Sequence, residues 1–184
     1  MDVTYKDIVS DELLVGAIEN NEMEGFREDF HILHCLIKIH KPKRFLEIGT
    51  YQGRGTKIIC NARPEMKVCS LDLSPDLSNL SKQYPTPEQI GMLCDLPYTQ
   101  LLGDSLTFNY GDIVPIDAVF IDGEHDFAHV FYETDELIKL GVKLFIYHDA
   151  DIKDVWWAIT DVFYGEDYDV YRVIDTRMAY AIKR

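Results

Sequence analysis

The sequence predicts an α/β fold, a mainly parallel sheet with helices on both faces, ending in one antiparallel strand. Three observations predict it. Apolar runs of strand length alternate with stretches of helical period from Arg44 onward. Strands joined through helices are parallel and right-handed in their crossovers, which places helices over both faces. The last two runs, "YDVYRVID" (Tyr168 to Asp175) and "MAYAIKR" (Met178 to Arg184), have only Thr176 and Arg177 between them. So short a link closes an antiparallel hairpin and no parallel crossover.

The elements follow in order. The first ~24 residues read as an acidic, partly helical lead-in with Leu13, Leu14, Val15 and Ile18 as its apolar face. Phe26 to His40 carries Phe26, Phe30, Leu33, Leu36 and Ile37 at the spacing of an amphipathic helix. His31, His34 and His40 lie on it and read as surface or packing residues. "KIHKPKR" (Lys38 to Arg44) supplies cations at its C-terminus and then a proline break. "RFLEIG" is the first strand, "GTKIICNA" a short helix and "KVCSLDL" the second strand. "PEQIGMLCDL" (Pro87 to Leu96) reads as a helix, and "TQLLGDS" (Thr99 to Ser105) as a short third strand. "IDAVFID" (Ile116 to Asp122) and "VKLFIYHD" (Val142 to Asp149) are nearly continuous apolar strands, as burial on both faces requires. Between them "FAHVFYETDELIKL" (Phe127 to Leu140) is a helix with Phe127, Phe131, Leu137 and Ile138 inward. "DVWWAITDVFYG" (Asp154 to Gly165) is the last helix. Its adjacent Trp156 and Trp157 point in different directions, one toward the sheet and the other toward an acceptor pocket or an interface.

Composition narrows the function. A chain of 184 residues favours one domain, a helical lead-in over 1–43 and an α/β core over 44–184. The net charge of −14 disfavours unaided binding to a nucleic acid backbone. No apolar run reaches the length of a membrane span, and the N-terminus lacks the order of a signal peptide. A cytoplasmic location is the expectation. The cysteines, Cys35, Cys60, Cys69 and Cys94, show no CxxC spacing and read as reduced thiols. The sequence is compatible with a homodimer and does not fix the oligomeric state.

Ligands of open α/β sheets bind outside the C-terminal strand ends. Every parallel strand end here carries an acid: Glu47, Asp72, Asp104, Asp122 and Asp149. Glycines at 49, 53 and 55 follow the first strand, where they permit close approach of backbone to a ligand. Asp72 ends the next strand, where a carboxylate can accept both ribose hydroxyls of an adenosine. A nicotinamide dinucleotide would use such an acid too. Its anionic pyrophosphate, however, wants a bare helix N-terminus or basic groups, and this mouth is acidic. A cationic ligand fits better, and the sulfonium of S-adenosylmethionine is one.

"FLEIGTYQGRGT", "SLDLS", "LLGDS", "VFIDGEHDFAHV" and "FIYHDAD" resemble, in order, the motifs of class I S-adenosylmethionine-dependent methyltransferases. The nearest likeness is to the small-molecule O-methyltransferase branch. It spans about Phe45 to Asp151 and departs at Tyr51, in place of a glycine, and at "KLGVK", in place of a Pro-Gly-Gly turn. The resemblance implies a Rossmann-like, doubly wound sheet of seven strands. It implies that Glu47, Gly49, Thr50 and Gly53 shape the methionine end of the cofactor pocket. Asp72 would hold the ribose, Leu73 the adenine, and Asp104 and Ser105 the adenine edge, with Asp122 also near the cofactor. Asp122, His148 and Asp149 would be the ligands of a divalent cation, Mg²⁺ or, given an imidazole in the set, the softer Mn²⁺. His125 stands where a base often stands, and an unperturbed imidazole suits that task near neutral pH. Its alternative role is to fill a turn before a helix capped by Asp126. His125 and His129 only faintly echo a zinc helix.

The implied activity is methylation of a hydroxyl on a small molecule, a sugar or a phenol. Two alternatives stand beside it: a cofactor-binding module without turnover, and a nicotinamide-dependent oxidoreductase. The loop Pro75 to Gln89 reads as a lid.

Overall fold

The computed structural model describes residues 1–18, 26–74, 86 and 88–184. Eight strands form one sheet in the order β1-β7-β8-β6-β5-β2-β3-β4. The strands are β1 (Asp2–Val3), β2 (Arg44–Ile48), β3 (Lys67–Asp72), β4 (Thr99–Leu102), β5 (Ala118–Ile121), β6 (Leu144–Tyr147), β7 (Tyr168–Val173) and β8 (Ala179–Lys183). Only β8 runs against its neighbours, pairing antiparallel with both β6 and β7. β1 is an eighth strand, parallel to β7, inside what the sequence suggested was a helical lead-in. Two residues are too short to show a period-2 pattern.

After β1 at the far edge the chain crosses to β2, winds outward through β3 and β4, and returns to β5 on the other side of β2. That reversal sets a crevice between the ends of β2 and β5. β5 shows how the sheet holds its helices. Ala118 and Phe120 belong to the core on one face, and Val119 and Ile121 to the core on the other. The first face is covered by α1 (Tyr5–Ile8), α3 (Arg27–His40) and α4 (Arg54–Ala62), with α2 (Asp11–Leu14) against α3. The second is covered by α5 (Phe127–Lys139) and α6 (Lys153–Val162).

Three details differ from the sequence reading. Residues Glu88 to Leu93 form turns instead of a helix. The amides of Gly91 and Leu93 donate to the carbonyls of Tyr51 and Gln52, so the backbone serves the β2–α4 loop. The buried face of α5 is Val130, Glu133, Thr134 and Leu137, with Phe131 and Ile138 packed partly buried against the same core as expected, while Phe127 turns outward, 38 % exposed and stacked on Phe131. Neither tryptophan reaches the crevice. Trp156 packs partly buried on the core beneath Arg172, as one of the pair was expected to, and Trp157 is 51 % exposed beside Lys153. On α3, His31 and His34 are buried packing residues, and His31 meets the Tyr5 hydroxyl at 2.8 Å. The expected lid falls almost wholly outside the described residues.

Candidate active site

A cavity of about 610 Å³ opens at the crevice, within the usual size of a small-molecule site. It is lined by the ends of β2 to β6, the start of α5, α3 residues and Arg177 of the β7–β8 turn.

Its floor is built around β2. Glu47 is fully buried, and its Oε2 accepts hydrogen bonds from the hydroxyls of Thr56 and Ser70, each at 2.5 Å. Ser70 also bonds Thr50 (2.6 Å), which accepts from the Gln100 amide (2.9 Å). Burial pushes the Glu47 carboxyl up to about 8, with Asp122 and Asp72 adding to it against the two hydroxyls. Glu47 does not line the cavity. It ties β2 to α4 and β3 beneath it. Above it the loop turns on two left-handed glycines, Gly49 (φ 101°) and Gly53 (φ 89°). A Cβ at Gly49 would stand 2.1 Å from the Asp122 carbonyl oxygen. Only glycine lets the ends of β2 and β5 meet there.

On the cofactor side, Asp72 accepts from the backbone amides of Leu73 (2.7 Å) and Tyr51 (2.5 Å). Burial raises its pKa against those bonds. Each oxygen retains a lone pair for a ligand hydroxyl. Leu73, Asp104, Ser105, His129 and Glu133 continue this wall. Asp104 accepts from the Leu106 amide at 2.9 Å.

On the opposite side four groups converge. Asp149 Oδ2 lies 3.0 Å from His125 Nε2 and 2.9 Å from His148 Nδ1. Asp122 Oδ1 is 3.3 Å from the same His148 nitrogen and 3.9 Å from His125. Asp29 of α3 faces the other nitrogen of His148 at 3.4 Å. The carboxylates of Asp122 and Asp149 beside it hold His125 up to about 10. Burial works against the charge of His148, but Asp122, Asp149 and Asp29 outweigh it and raise it to about 12. Burial would lift Asp149, but the two imidazoles hold it well below the carboxylate range. Its backbone is left-handed (φ 51°), a strained conformation for a residue other than glycine. Phe26, Phe30 and Arg177 close this end, the guanidinium 4.8 Å over the Phe26 ring.

Most of the sequence-predicted residues therefore surround one cavity: Gly49, Thr50, Asp72, Leu73, Asp104, Ser105, Asp122, His125, His148 and Asp149. Glu47 lies below it, and Gly53 acts as the N-cap of α4. Asp126 caps α5, accepting from the His129 amide at 2.9 Å. Asp29, Glu133 and Arg177 went unmarked in the sequence, and Phe26 and Phe30 were read only as the apolar face of a helix. Glu133 had a signal, since it stands three residues after Val130 and four before Leu137, on the apolar stripe of α5. Asp122, His148 and Asp149 bring one ligand atom each to within 4.8 Å of one another. That donor set fits a divalent cation once His148 gives up its proton.

The sequence matches the O-methyltransferase family over residues 11–152. The chain belongs to that family. Its fold is shared with solved structures at low sequence identity. Cofactor-bound Rv0187 from MTB is 22 % identical, with 85 % of this chain and 80 % of that one covered and a TM-score of 0.60. TomG, an O-methyltransferase from Streptomyces achromogenes in complex with SAM, is 14 % identical over 98 % and 99 % of the chains, TM-score 0.60. The O-methyltransferase from Bacillus cereus in complex with SAH is 14 % identical over 94 % and 85 %, TM-score 0.56. No curated protein matches the sequence. Among the described residues of this O-methyltransferase, no helix is long and apolar enough to cross a membrane.

Proposed function

We propose that the protein is an S-adenosylmethionine-dependent methyltransferase acting on a hydroxyl of a small molecule, a sugar or a phenol. The observation that carries this reading is the meeting of five acidic strand ends and the Gly49 turn at one crevice, with four of the acids around a single cavity. When bound, S-adenosylmethionine supplies a methyl group on a sulfonium for in-line transfer to oxygen.

The residues suit that task. Asp72 offers its free lone pairs to the ribose diol. Asp72, Asp104, Asp122, Glu124, Glu133 and Asp149 line the cavity with Arg54 and Arg177, and the imidazoles of His125 and His148 pair with Asp122 and Asp149. Asp72 and Asp104, on the cofactor side, suit a cationic ligand better than a pyrophosphate. Phe26 and Phe30 offer apolar surface to an acceptor beside His125 and Asp149. His125 is the group to take the acceptor's proton. While Asp122 and Asp149 pair with it, it is held protonated, so proton uptake requires those acids to be engaged elsewhere. A divalent cation on Asp122, His148 and Asp149 would engage them and act as a Lewis acid toward the hydroxyl. A cytoplasmic setting suits the four free thiols. A homodimer is compatible with this reading and plays no part in it.

Thermal melts with S-adenosylhomocysteine, S-adenosylmethionine and NAD, with and without Mn²⁺ or Mg²⁺, test the proposal. A ligand at a hundred times its Kd adds about 2.7 kcal/mol to stability. The S-adenosyl compounds raise Tm and NAD does not. Stabilisation by NAD alone overturns the reading. Methyl transfer to catechol and sugar acceptors, lost in His125→Asn with binding of S-adenosylhomocysteine retained, assigns His125 as catalytic.

A further inference from the structure

Glu133 is fully buried, yet it lines the cavity, and neither carboxylate oxygen has a hydrogen-bond partner among the described residues. A bare carboxyl in such a place costs stability unless a ligand completes it. It lies six residues along α5 from Phe127, about 9 Å at 1.5 Å per residue. That separates it from His125 and places it on the wall shared with Asp104 and Ser105.

We propose that Glu133 acts as a neutral carboxylic acid that reads the hydrogen-bonding edge of the cofactor's adenine. Its carbonyl oxygen accepts from the exocyclic amine, and its hydroxyl donates to the adjacent ring nitrogen. The assignment rests on the S-adenosylmethionine reading above. With Asp72 taking the ribose, the base falls between Leu73 and the Asp104–Ser105 turn, which Glu133 faces from α5. A carboxylic acid offers one acceptor and one donor side by side, and the adenine edge offers the converse pair.

The surroundings favour the neutral form. Burial lifts the carboxyl to about 7. Ser105 and His129 oppose that rise, the serine hydroxyl standing near without completing a hydrogen bond. Asp126 and Asp104 reinforce it. The hydroxyls of Tyr110 and Tyr147 also lie within electrostatic reach of it.

Calorimetric titration of S-adenosylhomocysteine, and of its N6,N6-dimethyl analogue, into the native protein, Glu133→Gln and Glu133→Leu tests the assignment. Native affinity is greatest near about pH 6 and weakens as pH rises through about 7. Glu133→Gln, whose amide keeps one acceptor and one donor, binds within about threefold of native at the lower pH and loses that pH dependence. Glu133→Leu binds about tenfold more weakly. The dimethyl analogue costs the native protein about tenfold and costs Glu133→Leu little. Native-like affinity in Glu133→Leu, or a flat native profile, overturns the assignment and leaves the cofactor reading standing. Absence of S-adenosylhomocysteine binding by the native protein at every pH overturns both.

Discussion

Two glutamates are equally buried and live in opposite surroundings. Glu47, under the β2–α4 loop, is met by the hydroxyls of Thr56 and Ser70. Glu133, on α5, is met by no hydrogen bond among the described residues. Burial lifts both above the usual carboxylate range. The difference lies in what each region is for. Around Glu47 the protein has supplied two donors to Oε2 itself, leaving only Oε1 without a hydrogen bond among the described residues, and the acid acts as a joint between β2, β3 and α4. Around Glu133 the partners are missing on the side that faces the cavity. A buried acid with its own donors is structural, and one left open toward a cavity waits for a ligand.

The contrast can be broken by substitution. Glu47→Leu strands the Thr56 and Ser70 hydroxyls in the core and crowds a region that Gly55 already approaches closely. It destabilises the protein by about 4 kcal/mol, measured by urea unfolding. The pH dependence of stability is the next largest effect. The folded Glu47 pKa of about 8 exceeds its ordinary value of 4.5. The folded state therefore keeps a proton that the unfolded chain releases, and stability falls as pH rises across that window. Glu47→Gln flattens this slope by up to about 1.4 kcal/mol per pH unit, seen in melts across the window. Glu133→Leu changes unliganded stability by no more than about 1 kcal/mol, with gain expected over loss, since no bond is broken. A loss as large as that of Glu47→Leu would erase the contrast. Glu124→Ala, at the exposed mouth, changes stability by less than about 0.5 kcal/mol in the same assay.

The two regions also differ in how far the sequence disclosed them. The floor was legible because strands announce themselves as apolar runs, and a run ending in Glu-Ile-Gly exposes its acid and its turn together. Asp72, Asp122, His148 and Asp149 were legible for the same reason, each at the end of such a run. Their partners were not. Asp29 reaches His148 across a separation of over a hundred residues, which no local pattern carries. Arg177 looked like part of a hairpin turn. Glu133 sat in "YETDELIK", where its two neighbouring acids, Asp135 and Glu136, lie at the solvent margin, and reading Phe127 as inward rotated the helix away from it. The helix expected at Pro87 failed because its amides are spent on the Tyr51–Gln52 turn, a long-range bond that propensity cannot foresee.

Strand β8 lies inside the sheet, with β6 on one side and β7 on the other. β1 joins the sheet only through β7, and β7 only through β8. During synthesis, residues 2–3 leave the ribosome before the other strands of this sheet and have no place to dock until residues 179–183 have emerged. The sheet's first strand to be made is thus among the last to be seated, and a nascent chain halted before Ala179 presents the open edge of β6 to its neighbours.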